Sequence, residues 1–86
     1  MITEEKMIEI FETSDYSKWE GDNAFKGLLI LSKYTNNLIG AAEHDIIYSE
    51  DIDKLIEAGI TEEDCIALRN LNWMIDGDCG CMACFV

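Results

Sequence analysis

Between Asp45 and Asn72 the sequence changes its hydrophobic period and marks each change with a stop signal. This constrains the fold more than any other feature. Asp45-Ile46-Ile47-Tyr48 joins β-branched and aromatic residues of the kind that suit a half-buried strand. Helical spacing follows: Ser49 is placed to cap, Ile52, Leu55 and Ile56 supply an inner face, and Gly59 is predicted to end the helix in the left-handed conformation with Ile60 packing back. Thr61-Glu62-Glu63-Asp64 then matches the Ser/Thr-x-x-Asp/Glu start signal, after which Cys65, Leu68 and Leu71 lie along one stripe up to Asn72. A chain that sets a strand beside a helical hairpin in so little sequence is neither all-helical nor all-β.

The flanks extend that layout. Thr3 is placed to cap a helix to about Thr13, with Glu4 and Glu5 near its positive end and Met7, Ile10 and Phe11 as the apolar stripe. Ser14 to Asp22 reads as a loop anchored by Trp19. The run Leu28-Leu29-Ile30-Leu31 fits either a buried helix or a buried strand. A cap at Asp22 or Asn23 and the spacing of Phe25, Leu28, Leu29 and Ser32 favour helix over residues 24–34, with Gly27 weakening it by about 1 kcal/mol. Thr35-Asn36-Asn37 reads as a turn. At the C-terminal end, Trp73 to Asp76 and Cys81 to Val86 flank Gly77-Asp78-Cys79-Gly80, the composition of a strand-to-strand connection. The expected fold is α+β: a small antiparallel sheet of about three strands, including a C-terminal hairpin, packed against three to four helices. With 86 residues, 49% of them hydrophobic, a single domain over 1–86 and one core are expected.

Six Lys and Arg against eighteen Asp and Glu leave a formal net charge of −12. Between Glu43 and Asp64, nine acidic residues are opposed only by Lys54. Binding a phosphate backbone requires Lys and Arg to displace counterions, so direct nucleic-acid binding is disfavoured. The start Met1-Ile2-Thr3-Glu4-Glu5-Lys6 lacks the pattern of a signal peptide, and no segment approaches the roughly 20 apolar residues of a membrane span. The expected location is cytoplasmic, which implies reduced thiols at Cys65, Cys79, Cys81 and Cys84.

The strings Gly27-Leu28-Leu29-Ile30-Leu31-Ser32-Lys33-Tyr34, Ala42-Glu43-His44-Asp45-Ile46-Ile47-Tyr48, Leu68-Arg69-Asn70-Leu71-Asn72-Trp73 and Ala83-Cys84-Phe85-Val86 resemble small acidic proteins encoded by phages and prophages. That pattern carries glycine where Asn72 stands; asparagine is the other residue that tolerates a left-handed helix end. The resemblance implies a mobile-element origin and brings no catalytic residues. The ending Cys79-Gly80-Cys81-Met82-Ala83-Cys84 lies outside it.

Several groupings invite a chemical reading. Cys79, Cys81 and Cys84, completed by Cys65 or His44, are the candidate ligands of a zinc ion. Strand alternation sends Cys81 and Cys84 to opposite faces, so the plainer reading makes Cys65 and Cys84 core residues and leaves Cys79 and Cys81 at an exposed turn. Glu43-His44-Asp45 cannot converge as a triad on a strand for the same reason. Asp76-Gly77-Asp78-Cys79-Gly80 resembles the start of a calcium loop without its closing acid, and the helix, Ala58-Gly59-Ile60 and helix resemble a helix-hairpin-helix whose acidic residues would repel DNA.

The expected function is therefore non-enzymatic. The carboxylates Glu50, Asp51, Asp53, Glu57, Glu62, Glu63 and Asp64 are the candidate partner-binding residues. They would take the place of phosphates on a basic, nucleic-acid-binding host or defence protein, and the phage-like character makes an anti-CRISPR-like inhibitor the leading reading. Two alternatives stand beside it: a small zinc module, and a homo-oligomer built on Trp19, Phe85 and the terminal strand.

Overall fold

The computed structural model describes residues 2–12, 22–43 and 45–85. Residues 14–21 of the expected loop from Ser14 to Asp22, its Trp19 anchor among them, and the zinc candidate His44 lie outside the described residues. Among the described residues eight elements follow in order: α1 (Glu4–Glu12), α2 (Asn23–Leu31), β1 (Ala41–Glu43), β2 (Ile46–Asp51), α3 (Ile52–Glu57), α4 (Glu62–Asn70), β3 (Met74–Asp76) and β4 (Cys81–Phe85). The strands form one sheet of order β1-β2-β4-β3, antiparallel throughout. The fold is α+β as expected, with four strands instead of about three. The additional strand is Ala41–Glu43, which has no β-rich composition; it is a strand because Ala41, Ala42 and Glu43 pair with Tyr48, Ile47 and Ile46.

The sheet register decides which side chains face the helices. Directly paired residues share a face, so Ala41, Tyr48, Ala83 and Met74 form one row, and Ile47 with Cys84 and Ile75 with Met82 belong to the opposite face. Met82 and Cys84 are buried in one cluster with Met7 and Ile10 of α1, Leu31 of α2, Ile52 and Leu55 of α3, and Cys65 and Leu68 of α4. The helices therefore cover that face, and each fully buried Leu contributes about 2 kcal/mol. The other face carries Ile46, Tyr48, Met74 and Phe85, with Phe85 50% exposed.

The two ends of the helical hairpin are closed by the same backbone device. After α3, the Gly59 N–H donates to Ile56 O and the Ile60 N–H to Leu55 O, both at 3.0 Å, with Gly59 at φ 91°. After α4, the Asn72 N–H donates to Arg69 O and the Trp73 N–H to Leu68 O at 2.9 and 3.0 Å, with Asn72 at φ 64°. Both are the paired six-to-one and five-to-two closures that satisfy the last carbonyls. Helix starts are less uniform. Thr3 Oγ1 accepts from the Lys6 N–H and Thr61 Oγ1 from the Asp64 N–H, each at 3.1 Å, as expected. Ser49 is not the cap of α3, because β2 continues to Asp51, which occupies the cap position with no side-chain cap bond.

On α2 the helix reading holds, but the inner face differs from expectation. Phe25 and Leu29 point outward at 61% and 54% exposure, and Gly27 and Leu31 are buried instead. The cause is Trp73. Its indole lies where a Cβ on Gly27 would be, and its Nε1 donates to Asn23 O at 3.1 Å. Gly27 thus concedes helix propensity so that the largest core side chain can lie against the helix backbone.

Candidate binding surface

The acidic residues predicted to meet a partner divide into two groups. Asp51, at the cap position of α3, is exposed, as are Asp53 and Glu57 one turn apart on α3 and Glu62 and Glu63 in the first turn of α4. Asp53 and the α4 pair lie near helix starts, where the aligned peptide dipoles favour negative charge. Gly59 turns the chain between α3 and α4, with Glu57 before the bend and Glu62 and Glu63 after it, while Asp51 and Asp53 lie at the other end of α3. Glu62 also pairs with Lys6 of α1 at 3.6 Å.

Glu50 and Asp64 are used inside the fold. Two residue steps on β4, from Ala83 to Cys81, are matched by three on β2, from Tyr48 to Asp51. This is a β-bulge, and it buries the consecutive residues Ser49 and Glu50. Glu50, only 8% exposed, accepts from Thr35 Oγ1 at 2.8 Å and from the Asp51 N–H at 2.9 Å. The Thr35 hydrogen bond leads the effects that hold its carboxyl below the usual range, against the opposing effect of burial. Asp64 accepts a short hydrogen bond from the Tyr34 hydroxyl and meets Lys33 Nζ at 2.8 Å. Burial pushes its carboxyl up, yet the bonds from Lys33 and Tyr34 and the Lys33 charge outweigh that and leave it depressed. Both carboxylates pin the segment after α2 to the rest of the molecule, which narrows the predicted surface set to Asp51, Asp53, Glu57, Glu62 and Glu63.

Exposed acidic residues are not confined to residues 43–64. Glu4, Glu5 and Glu12 are exposed on α1, which packs against both α3 and α4, so a third helix carries exposed acidic residues. The signal was present in the sequence as Glu5, Glu9 and Glu12 at helical spacing opposite Met7 and Ile10.

The cysteines do not converge. Cys65 and Cys84 are free, buried thiols in the core. Burial pushes Cys65 up to about 11, with Asp64 and Glu62 adding to it, and raises Cys84 as well. Cys79 and Cys81 are joined in a disulfide, which corrects the expectation of reduced thiols at this pair. Cys81 is itself buried at 3% exposure, while Cys79 lies exposed in the turn. As alternation predicts, Cys81 and Cys84 fall on opposite faces of β4, which separates the proposed zinc ligands. Among the described residues no group of three His, Cys, Asp or Glu side chains is placed to hold a metal ion. The calcium-like string is a turn device: Asp76 Oδ1 accepts the N–H groups of Asp78 and Cys79 at 2.8 and 3.1 Å.

Fold and surface together define a small α+β fold with exposed acidic residues on its helices. No family model, curated protein or solved structure matches the chain. Among the described residues no helix is long and apolar enough to cross a membrane.

Proposed function

We propose that this protein is a non-catalytic binding protein that inhibits a basic, nucleic-acid-binding host or defence protein, in the manner of an anti-CRISPR inhibitor, by offering carboxylates where phosphates would sit. The observation that carries this reading is the exposed set Asp51, Asp53, Glu57, Glu62 and Glu63 on the consecutive helices α3 and α4, joined by the exposed glutamates of α1. Such a surface repels phosphate backbones and raises the encounter rate with a cationic groove.

The test is a tagged pull-down from nuclease-treated bacterial lysate with stepped salt, followed by kinetics on the captured protein. Asp53→Asn, Glu57→Gln and Glu63→Gln combined are expected to slow association about tenfold at low salt, with little effect at high salt. Binding that is indifferent both to these changes and to salt would remove the charge mechanism.

Self-association is a second reading, favoured by the exposed Phe25 and Leu29 on α2 and by Phe85. The terminal strand cannot add a strand from another copy, because β4 lies between β2 and β3 with both edges paired. The contact would use side chains on a face. Sedimentation at a single mass above monomer would support this reading, and a monomer at high concentration would end it.

A further inference from the structure

The binding surface leaves one chemical group unused, the disulfide between Cys79 and Cys81, with only Gly80 between them. A disulfide stabilises a fold mainly by closing a loop in the unfolded chain, and that effect shrinks with loop length. Across a separation of two residues it ties together nothing that the peptide bonds do not already hold close. The core and the ladder between β3 and β4 are built from other groups. Disulfides with an exposed sulfur are the labile ones, and Cys79 is exposed.

The two sulfurs are also unequal. Cys79 is exposed in the turn, whereas Cys81 begins β4 and is buried. The bond borders an open cleft of about 410 Å³ walled in part by Tyr48, Asp51, Asp76 and Asp78. The three carboxylates give any approaching reductant a negative field. The turn is tied to the acidic helices as well: the Gly80 carbonyl accepts the N–H of Ile52, the first residue of α3, at 2.9 Å. That helix start has no side-chain cap.

We propose that Cys79–Cys81 is a reversible thiol–disulfide exchange site, with Cys79 as the sulfur attacked by a small thiol and Cys81 as the resolving cysteine. In the forward step a thiolate attacks Cys79 Sγ. A bond forms between the incoming sulfur and Cys79, the Cys79–Cys81 bond breaks, and the electron pair passes to Cys81 Sγ, which takes a proton from solvent. A second thiol then attacks the incoming sulfur, leaving Cys79 as a thiol and the small molecule as its disulfide. The protein pair is thereby reduced by two electrons and two small thiols are oxidised to one disulfide. In the reverse direction Cys81 attacks the mixed disulfide and expels the small thiol. The carboxylates select for cationic thiols over anionic ones. Opening the bond frees the turn that supports the start of α3, so the redox state bears on the acidic surface; only this last consequence rests on the binding reading.

Alkylation with iodoacetamide and intact mass analysis of the folded, air-equilibrated chain tests the site. No label is expected before reduction, and two labels, at Cys79 and Cys81, after native treatment with dithiothreitol, while Cys65 and Cys84 stay protected. Labelling of Cys79 or Cys81 before reduction, or a bond that opens only in denaturant, would overturn the proposal. Cysteamine is expected to reduce the pair about tenfold faster than glutathione at matched thiolate concentration and low salt, and the gap should close at high salt. Equal rates at low salt would reject the role of the carboxylates. Treated with cystamine, the disulfide of cysteamine, Cys81→Ser is expected to trap a stable mixed disulfide: the Cys79 thiolate attacks one cystamine sulfur, the cystamine bond breaks, and the other half leaves as cysteamine. Should that variant fail to fold, Cys79→Ser gives the second reading: it should form no adduct under native conditions, and an adduct at Cys81 would refute the assignment of Cys79. Faster amide exchange at Ile52 after reduction is expected, and unchanged exchange would break the link to α3. None of these measurements needs a partner, so their failure leaves the acidic-surface reading intact, and failure of that reading leaves these results standing.

Discussion

The ends of α3 and α4 share a backbone closure but differ in what lies beyond it. Past α3, Gly59 sits in open space where an added Cβ would touch nothing, and Ile60 folds back into the core close by. Past α4, Asn72 takes the left-handed position and the next residue, Trp73, reaches across to α2, where its ring occupies the place of a Gly27 side chain. The first end is a local event and the second is a tertiary one. A helix stop written in the same backbone hydrogen bonds can therefore be cheap or costly to disturb, depending on what the following side chain is asked to reach.

Substitutions at the two ends separate these cases. Gly27→Ala should give the largest loss, about 3 kcal/mol, because the added Cβ would fall on the indole of Trp73, which must leave its seat. Urea denaturation followed by tryptophan fluorescence measures it. The same change in a Trp73→Leu background should cost less, and equal costs would show that the ring is not the obstacle. Gly59→Ala should cost about 1.5 kcal/mol in the same denaturation, all of it from the backbone conformation, since no neighbour is struck. Thr61→Ala, which removes the bond from the Asp64 N–H at the start of α4, should cost about 1 kcal/mol.

A graded loss is expected in acid. Asp64 and Glu50 both have carboxyls held below their ordinary values of 3.8 and 4.5. A depressed folded value means that the stabilisation is fully present above the unfolded value and is lost as pH falls through the folded one. The urea midpoint should therefore decline as pH drops below about 4.5, and Thr35→Ala should flatten the Glu50 part of that decline. Asn72→Gly should have the smallest effect, within roughly 0.5 kcal/mol of the parent, because both residues accept the left-handed position.

Much of the fold was legible where local chemistry decides it. Thr3, Thr61 and Gly59 act where their residue types predict, and the hairpin around residues 77–80 forms with Asp76 and Cys81 paired. The acidic surface was legible only in part. Charge patterning marks a carboxylate without showing its hydrogen-bond partner, and Glu50 and Asp64 find theirs at Thr35 and Tyr34, 15 and 30 residues away. The pair is visible as Cys79-Gly80-Cys81, but a cytoplasmic location implies free thiols, and spacing alone does not decide between thiols and a disulfide.

The sequence by itself determined the alternation of helix and strand, the two helix stops, the shared surface of negative charge and the opposite faces of Cys81 and Cys84, because caps, periodicity and charge act over a few residues. Tertiary structure alone decided that Ala41–Glu43 is a strand, that Gly27 is a seat for Trp73, and that a bulge turns Glu50 inward. Each of those outcomes depends on a partner far along the chain, and short-range propensity carries no information about which distant group will arrive.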